Sequence, residues 1–266
     1  MKNQVDIIIQ GNLWECTVRA AIQYTDLDFV NKVYISTWKD DQIKAKSYPP
    51  NSKIHYLFSD LPEHEGGNNI NYQIISSLNG LHASDCESVV KMRSDQIVSN
   101  KSMQDMYDFI KEAMGKEDSS SMEPKPLGPI FTLGIQSIWP YHPQDHILWG
   151  YREDLLKFFS LPLSTFPSLD PITVFETTLR ANIYLGAHYF ALYDEDAKKH
   201  IDNPEIYLLD SAPATPSLKN EEVMITSNKI LNKLFKPLPK INLFWEKYNS
   251  GYPYEFYQGW GEYYHE

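Results

Sequence analysis

The chain has 266 residues, with 24 Lys and Arg against 35 Asp and Glu, a formal charge of −11, and 42% hydrophobic residues. That length and apolar content suit one large domain or two small ones and exclude disorder as the main state. The acidic balance, with no basic patch to interrupt it, excludes general nucleic-acid binding, and no apolar run approaches the roughly 20 residues a membrane span needs.

Met1-Lys2-Asn3-Gln4 leads straight into a strand-like run without the longer apolar core of a secretory signal, so the expected compartment is the cytoplasm. Two cysteines, Cys16 and Cys86, make no disulfide framework and show no metal-ligand spacing. Residues 5–10 (VDIIIQ) read as a buried parallel strand closed by Gly11-Asn12. Trp14, Val18, Ala21 and Ile22 then recur at helical spacing. Strands follow over 33–38 (VYISTW) and 53–58 (KIHYLF), then a polar loop over 63–69 and a helix whose stripe is Ile70, Ile74, Leu78 and Leu81. A strand over 88–92 (SVVKM) runs into Arg93-Ser94-Asp95, and Met103, Met106, Tyr107, Ile110 and Met114 form the next helical stripe. Strands alternating with helices of this length predict a sheet with helices on both faces, parallel over the first ~110 residues.

Residues 115–129 are rich in Pro and Ser and have no periodicity, which predicts a long loop. Strands are expected over 130–139 and 146–150, and a short helix over 152–159 with Glu153 and Asp154 in its first turn, where carboxylates suit the helix dipole. A helix is expected over 175–189, where Glu176 and Arg180 are spaced as an i,i+4 pair. The remainder is mixed, and the last 23 residues, from Phe244, hold ten aromatics.

In an open parallel α/β sheet, ligands sit at the carboxyl ends of the strands. The residues to watch are therefore Gln10, Gly11 and Asn12; Thr37, Trp38 and Asp40; Ser59 and Asp60; and Arg93 and Asp95. No GxGxxG follows the first strand and no P-loop occurs anywhere, which takes most of the support from the dinucleotide and P-loop readings. Lys91, Arg93 and Asp95 share one face of an extended strand, offering two cations for a diphosphate and a carboxylate for a divalent cation. The same spacing equally suits a turn-capping Asp paired with its neighbouring Arg. His142 and His146 have an HxxxH spacing, but Pro143 breaks the helix that would align the rings on a metal.

The opening strand, turn and helix, VYISTW, NINYQIISSLNGL, the KMRSD strand end and DHILWGYREDLLKFF together resemble WavE-type lipopolysaccharide-synthesis proteins, over roughly residues 4–190. The resemblance implies a GT-A-like mixed α/β sheet and transfer of a sugar from a nucleotide-diphosphate donor to a surface glycan or glycolipid. It implies a nucleotide-sugar-binding half over 1–114, a loop over 115–129, an acceptor half of the same domain over 130–190, and an aromatic-rich C-terminal extension over 191–266 that packs on it. Gln10, Gly11, Arg19 and Trp38 would line the nucleotide pocket, with Lys91, Arg93 and Asp95 at the diphosphate. Asp95 would match the last carboxylate of the GT-A DxD element and hold Mn or Mg. The first position of that triplet is Arg93, however, so Lys91 and Arg93 are the alternative neutralisers of the diphosphate.

On the acceptor side, Asp154 would be the base, with Asp145 as acceptor ligand or alternate base and Glu153 beside them. The bland reading of these three is helix-start electrostatics for Glu153 and Asp154 and a loop cap for Asp145. The aromatic tail reads either as a flap closing over the core or as a surface for sugar and for peripheral membrane contact. Two other functions fit the same pattern. One is a sugar nucleotidyltransferase, although Gly11-Asn12-Leu13-Trp14 lacks the expected basic, Gly-rich loop. The other is a non-catalytic glycan-binding module.

Overall fold

The computed structural model describes residues 4–114, 125–135, 141–164, 181–202, 218–239, 241 and 243–245. Expectations that fall wholly or partly outside them are the Pro/Ser loop up to residue 124, the second half of the strand expected over 130–139, the start of the helix expected over 175–189 with its Glu176–Arg180 pair, and the aromatic tail beyond Trp245.

Strands β1 (Val5–Gln10), β2 (Val30–Trp38), β3 (Ile54–Ser59), β4 (Ser88–Arg93), β6 (Ile130–Thr132), β7 (Ile147–Tyr151) and β8 (Phe235–Pro237) form one sheet in the order β3-β2-β1-β4-β7-β6-β8. β5 (Gln96–Val98) pairs separately with β9 (Leu243–Trp245). β1, β2, β3 and β4 are mutually parallel, as the strand–helix alternation predicts. β7 runs antiparallel to β4, and this reversal makes the sheet mixed.

Period-two alternation sends Ile7, Ile9, Val90 and Met92 to one face, where they pack with Val18 and Ala21 of α1 (Glu15–Tyr24) and with Met103, Met106 and Ile110 of α4 (Asn100–Met114). Ile8, Val89 and Leu148 point to the other face. There they meet Ile70, Ile74 and Leu81 of α3 (Ile70–Ala83) and Leu155, Phe158 and Phe159 of α5 (Arg152–Phe159). Burying each such side chain contributes about 1.5–3 kcal/mol, so the two faces form two halves of one large core. α2 (Gln42–Ala45) is a single turn after β2. Helix α3 approaches β1 so closely at Gly80 that an added Cβ would lie 2.3 Å from Ile8 Cγ2, which explains a glycine inside a helix.

Helices α6 (Ala181–Phe190), α7 (Glu195–Asp202) and α8 (Leu218–Leu234) belong to the C-terminal part. That part is more than an extension resting on the domain: β8 joins the sheet parallel to β6, and Val223, Leu231, Leu234 and Phe235 enter the same core as α3 and α5. Its aliphatic residues are too scattered for periodicity to reveal a three-residue strand. Boundaries also move: β2 begins at Val30, three residues before the apolar run, β6 ends at Thr132, and β3 and β7 each lie one residue later than expected.

Candidate functional site

β1 connects through α1 to β2 on one side, while β4 lies on the other side of β1, so the direction of winding switches between β1 and β4. A crevice forms at such a point, beyond the carboxyl ends of the strands. Ser36, Gln10 and Arg93 occupy one rung of the sheet at this edge. The antiparallel β7 brings its own start to the same edge, because Met92 pairs with Ile147 and Asp145 and His146 immediately precede it.

The turn after β1 is built tightly against the end of β4. Ser94 N donates to Gln10 O at 2.9 Å, and Thr17 Oγ1 donates to Ser94 O at 2.7 Å. Gly11 has φ +122°, a left-handed conformation, and an added Cβ would lie 2.7 Å from Ser94 Oγ. Two and three residues on, the amides are also used internally: Leu13 N donates to Asp41 Oδ2 at 3.0 Å and Trp14 N to Thr17 Oγ1 at 3.0 Å. Thr37 Oγ1 also donates to Asp41. The buried Gln10 accepts from Ser76 Oγ at 2.7 Å through Oε1, while its Nε2 makes no hydrogen bond among the described residues.

Arg93 and Asp95 form a two-point ion pair, Nε to Oδ1 at 2.9 Å and Nη2 to Oδ2 at 2.7 Å. The Arg93 side chain keeps 30% exposure, against 7% for Asp95. Lys91, one strand alternation deeper, has no exposed surface, and its Nζ donates to Asp145 O at 2.7 Å. Burial lowers the Lys91 ammonium to about 8, against the pull of Asp145. Asp145 is itself buried, with Oδ2 accepting from Gln73 Nε2 of α3. Burial would raise its carboxyl, but the charges of Lys91, His146 and Arg93 and the Gln73 bond prevail and hold it down at about 2. Burial lowers the His146 ring to about 4, and its Nδ1 lies 2.6 Å from Gln96 Nε2.

The structure therefore brings together Gln10, Gly11, Arg93, Asp95 and Asp145, with Lys91 beneath them. It separates the others. Trp38 lies at the crevice edge but is buried, donating to Asn12 Oδ1 at 2.9 Å with its ring 5.2 Å from that of Tyr72, so it braces the turn and shows little ring face to a base. Arg19 is exposed on the second turn of α1, on the opposite face of the sheet from Gln10 and Arg93. Glu153 and Asp154 follow the far end of β7, where Tyr151 pairs with Ser88. They sit at the amino edge of β4, roughly 17 Å along the strand from the crevice. Asp154 there accepts from Gly128 N at 3.1 Å and from Lys157 Nζ at 3.3 Å, and Glu153 pairs with Arg152 at 2.6 Å. In this position Asp154 and Glu153 are engaged with Gly128, Lys157 and Arg152, and of the three acceptor-side candidates only Asp145 lies at the crevice.

Sequence reasoning did not single out Asp41, Gln73, Ser76 or Ser94. Gln73 and Ser76 left a readable trace, since they are polar residues on the buried side of a helix, and such groups need a partner. Asp41 looked like an ordinary strand-closing acid.

At the end of β4 a divalent cation would find a single carboxylate, Asp95. Both oxygens of Asp95 are taken by the Arg93 fork, and among the described residues no group of three or more His, Cys, Asp and Glu stands together as a metal site.

Residues 30–185 match the WavE lipopolysaccharide synthesis family. The chain belongs to that family. No curated protein matches it. Among solved structures, this WavE-family chain is similar to S. aureus TarS, with TM-score 0.44 and 15% identity over 86% of this chain and 43% of that one. The glycosyltransferase GlyE of Streptococcus pneumoniae TIGR4 superposes with TM-score 0.38 and 9% identity over 89% and 45%. The 4-diphosphocytidyl-2C-methyl-D-erythritol synthase of Anaerococcus prevotii DSM 20548 gives TM-score 0.40 and 11% identity over 87% and 100%. The WavE-family chain has no helix, among its described residues, long and apolar enough to cross a membrane.

Proposed function

We propose that this WavE-family chain is a glycosyltransferase that moves a sugar from a nucleotide-diphosphate donor to a surface glycan or lipopolysaccharide-type acceptor. The observation that carries the reading is the convergence, at the winding switch between β1 and β4, of a partly exposed cation and a fixed carboxylate: Arg93 oriented by Asp95, and Asp145 oriented by Gln73. Transfer forms a bond from an acceptor hydroxyl oxygen to the anomeric carbon and breaks the bond from that carbon to the diphosphate, whose oxygen leaves with the electron pair while the hydroxyl proton is released to solvent water. Arg93 offers the fork geometry that phosphate oxygens accept and opposes the charge developing on the leaving diphosphate. Asp145 is too acidic to be an efficient base near neutral pH, which suits it to accept a hydrogen bond from a sugar hydroxyl. The Leu13 and Trp14 amides are already used by Asp41 and Thr17, which argues against the triphosphate-cradling turn of a nucleotidyltransferase.

The test is a thermal-shift screen of the purified chain against UDP, GDP, CDP and their common sugars, each with Mg²⁺, Mn²⁺ or EDTA. One nucleotide class is expected to raise the melting temperature, and the shift is expected to survive EDTA. No shift with any nucleotide, together with binding of glycan, would replace this reading by that of a glycan-binding module. A shift seen only with metal would overturn the assignment of the diphosphate to Arg93.

A further inference from the structure

Lysine is almost never fully buried unless paired, because removing an ammonium from water costs several kcal/mol. Lys91 is fully buried in the middle of the sheet, flanked across the strands by Ile8 and Leu148, with the Phe159 ring of α5 centred 5.3 Å from its Nζ. An apolar residue would suit that environment better. The cation reaches past it to a single hydrogen-bond acceptor among the described residues, the carbonyl of Asp145, at 2.7 Å. Asp145 is equally constrained: its relative exposure is 5%, Gln73 donates to Oδ2, and Oδ1 accepts nothing among the described residues. The other charged groups around the two are Arg93 and Asp95 at the end of β4 and His146 at the start of β7, while α3 contributes only the Gln73 amide and α5 only the Phe159 ring.

We propose that Lys91 is a positioning residue, a buried cation that pins the segment ahead of β7 and keeps the Asp145 carboxylate ionised at the crevice without itself touching donor or acceptor. Only the identity of what Asp145 meets rests on the glycosyltransferase reading; the Lys91–Asp145 coupling does not. A diphosphate ligand would need a cation with exposed surface, and Lys91 has none. The role assigned to it from sequence thus changes from contact to support.

The coupling has a signature in pH that simple packing lacks. In the wild-type chain Asp145 is depressed to about 2, so its stabilising contribution is complete above the ordinary carboxylate range and is lost as pH falls toward that value. Without Lys91, burial acts against the charged carboxylate. Only Arg93, His146 and the Gln73 bond then oppose burial, so the carboxyl is depressed less and the variant lacks stability that the wild type gains as pH rises.

The experiment compares urea midpoints of wild type, Lys91→Met, Asp145→Asn and the double variant between about pH 4 and pH 7. The midpoint deficit of Lys91→Met is expected to be largest at neutral pH and to shrink on acidification. Adding Asp145→Asn is expected to recover part of the deficit and remove its pH dependence. A deficit equal at every pH and unchanged by Asp145→Asn would overturn the proposal, leaving Lys91 as filler. Should Lys91→Met not fold at neutral pH, Asp145→Asn alone decides. It removes the charge that raises Lys91, so Lys91 loses its proton below about 8 in this variant and the deficit should shrink as pH rises toward that value, and a flat deficit would sink the idea. A chain that shows this coupling yet binds no nucleotide would overturn the glycosyltransferase reading and leave the role of Lys91 standing.

Discussion

Asp145 and Asp154 bracket β7, and because β7 runs antiparallel to β4 only Asp145 comes to lie beside Arg93, while Asp154 is carried to the other edge of the sheet. Eight residues of chain thus separate two carboxylates with different surroundings. One is held ionised at the crevice. The other accepts Gly128 N and braces the approach to β6.

This separation predicts the behaviour of Asp154→Asn. Burial raises the Asp154 carboxyl, with the Gly128 bond and Lys157 opposing. A raised carboxyl pKa means that the folded state holds the proton more tightly, so stability falls as pH rises from the ordinary carboxylate value through the raised one. Asparagine carries no such dependence. The stability of Asp154→Asn relative to wild type should therefore improve from about pH 4 to pH 7, as read by urea midpoints, and nucleotide binding should be unchanged. Loss of nucleotide binding with intact folding would restore Asp154 to the site.

Gly11→Ala should be costly in both respects. The methyl group must occupy a φ that L residues rarely adopt and lies 2.7 Å from Ser94 Oγ, so the turn shifts or Ser94 moves. A cost of about 1–3 kcal/mol is expected, with weaker nucleotide binding in calorimetry. Ser94→Ala in the same chain relieves the contact but not the backbone strain, so it should recover only part of the loss.

At Gly80 the φ is ordinary and the obstacle is Ile8 alone. Gly80→Ala should cost about 1–3 kcal/mol by overpacking. The double variant Gly80→Ala/Ile8→Ala should then be more stable than the sum of the single losses predicts, as measured by a denaturation cycle. Strict additivity would show that α3 does not press on β1 there.

Arg93→Lys keeps the charge but not the planar fork that engages Asp95 at two points. Affinity for a nucleoside diphosphate should fall about tenfold, near 1.4 kcal/mol, while affinity for the corresponding nucleoside stays the same. Equal losses for both would place Arg93 outside the diphosphate contact.

Much of the scaffold was legible from local pattern. VDIIIQ and REDLLKFF appear as β1 and α5 with the boundaries read from sequence, and the Ile70–Ile74–Leu81 stripe packs as expected. These elements are decided by period and by which residues must leave water, information carried within a few turns of chain. Strand β5 was not legible, because three residues show no period and their pairing partner lies almost 150 residues away. The same holds for β8, whose place in the sheet is set by the apolar surface that α8 and β6 leave to be covered.

For the candidate site, the sequence alone determined that Gln10, Gly11, Arg93 and Asp95 would stand at strand ends, because strand direction and period follow from local composition. It could not determine the direction of β7. Parallel or antiparallel pairing is decided by the connections and by which sheet edge is left open, and both are properties of the assembled fold. That one reversal put Asp145 at the crevice and carried Asp154 away from it. Burial decided the rest: Lys91 reads as a phosphate-binding cation in a sequence of strand residues, and only the layer of Phe159, Ile8 and Leu148 around it turns the same charge into an internal support.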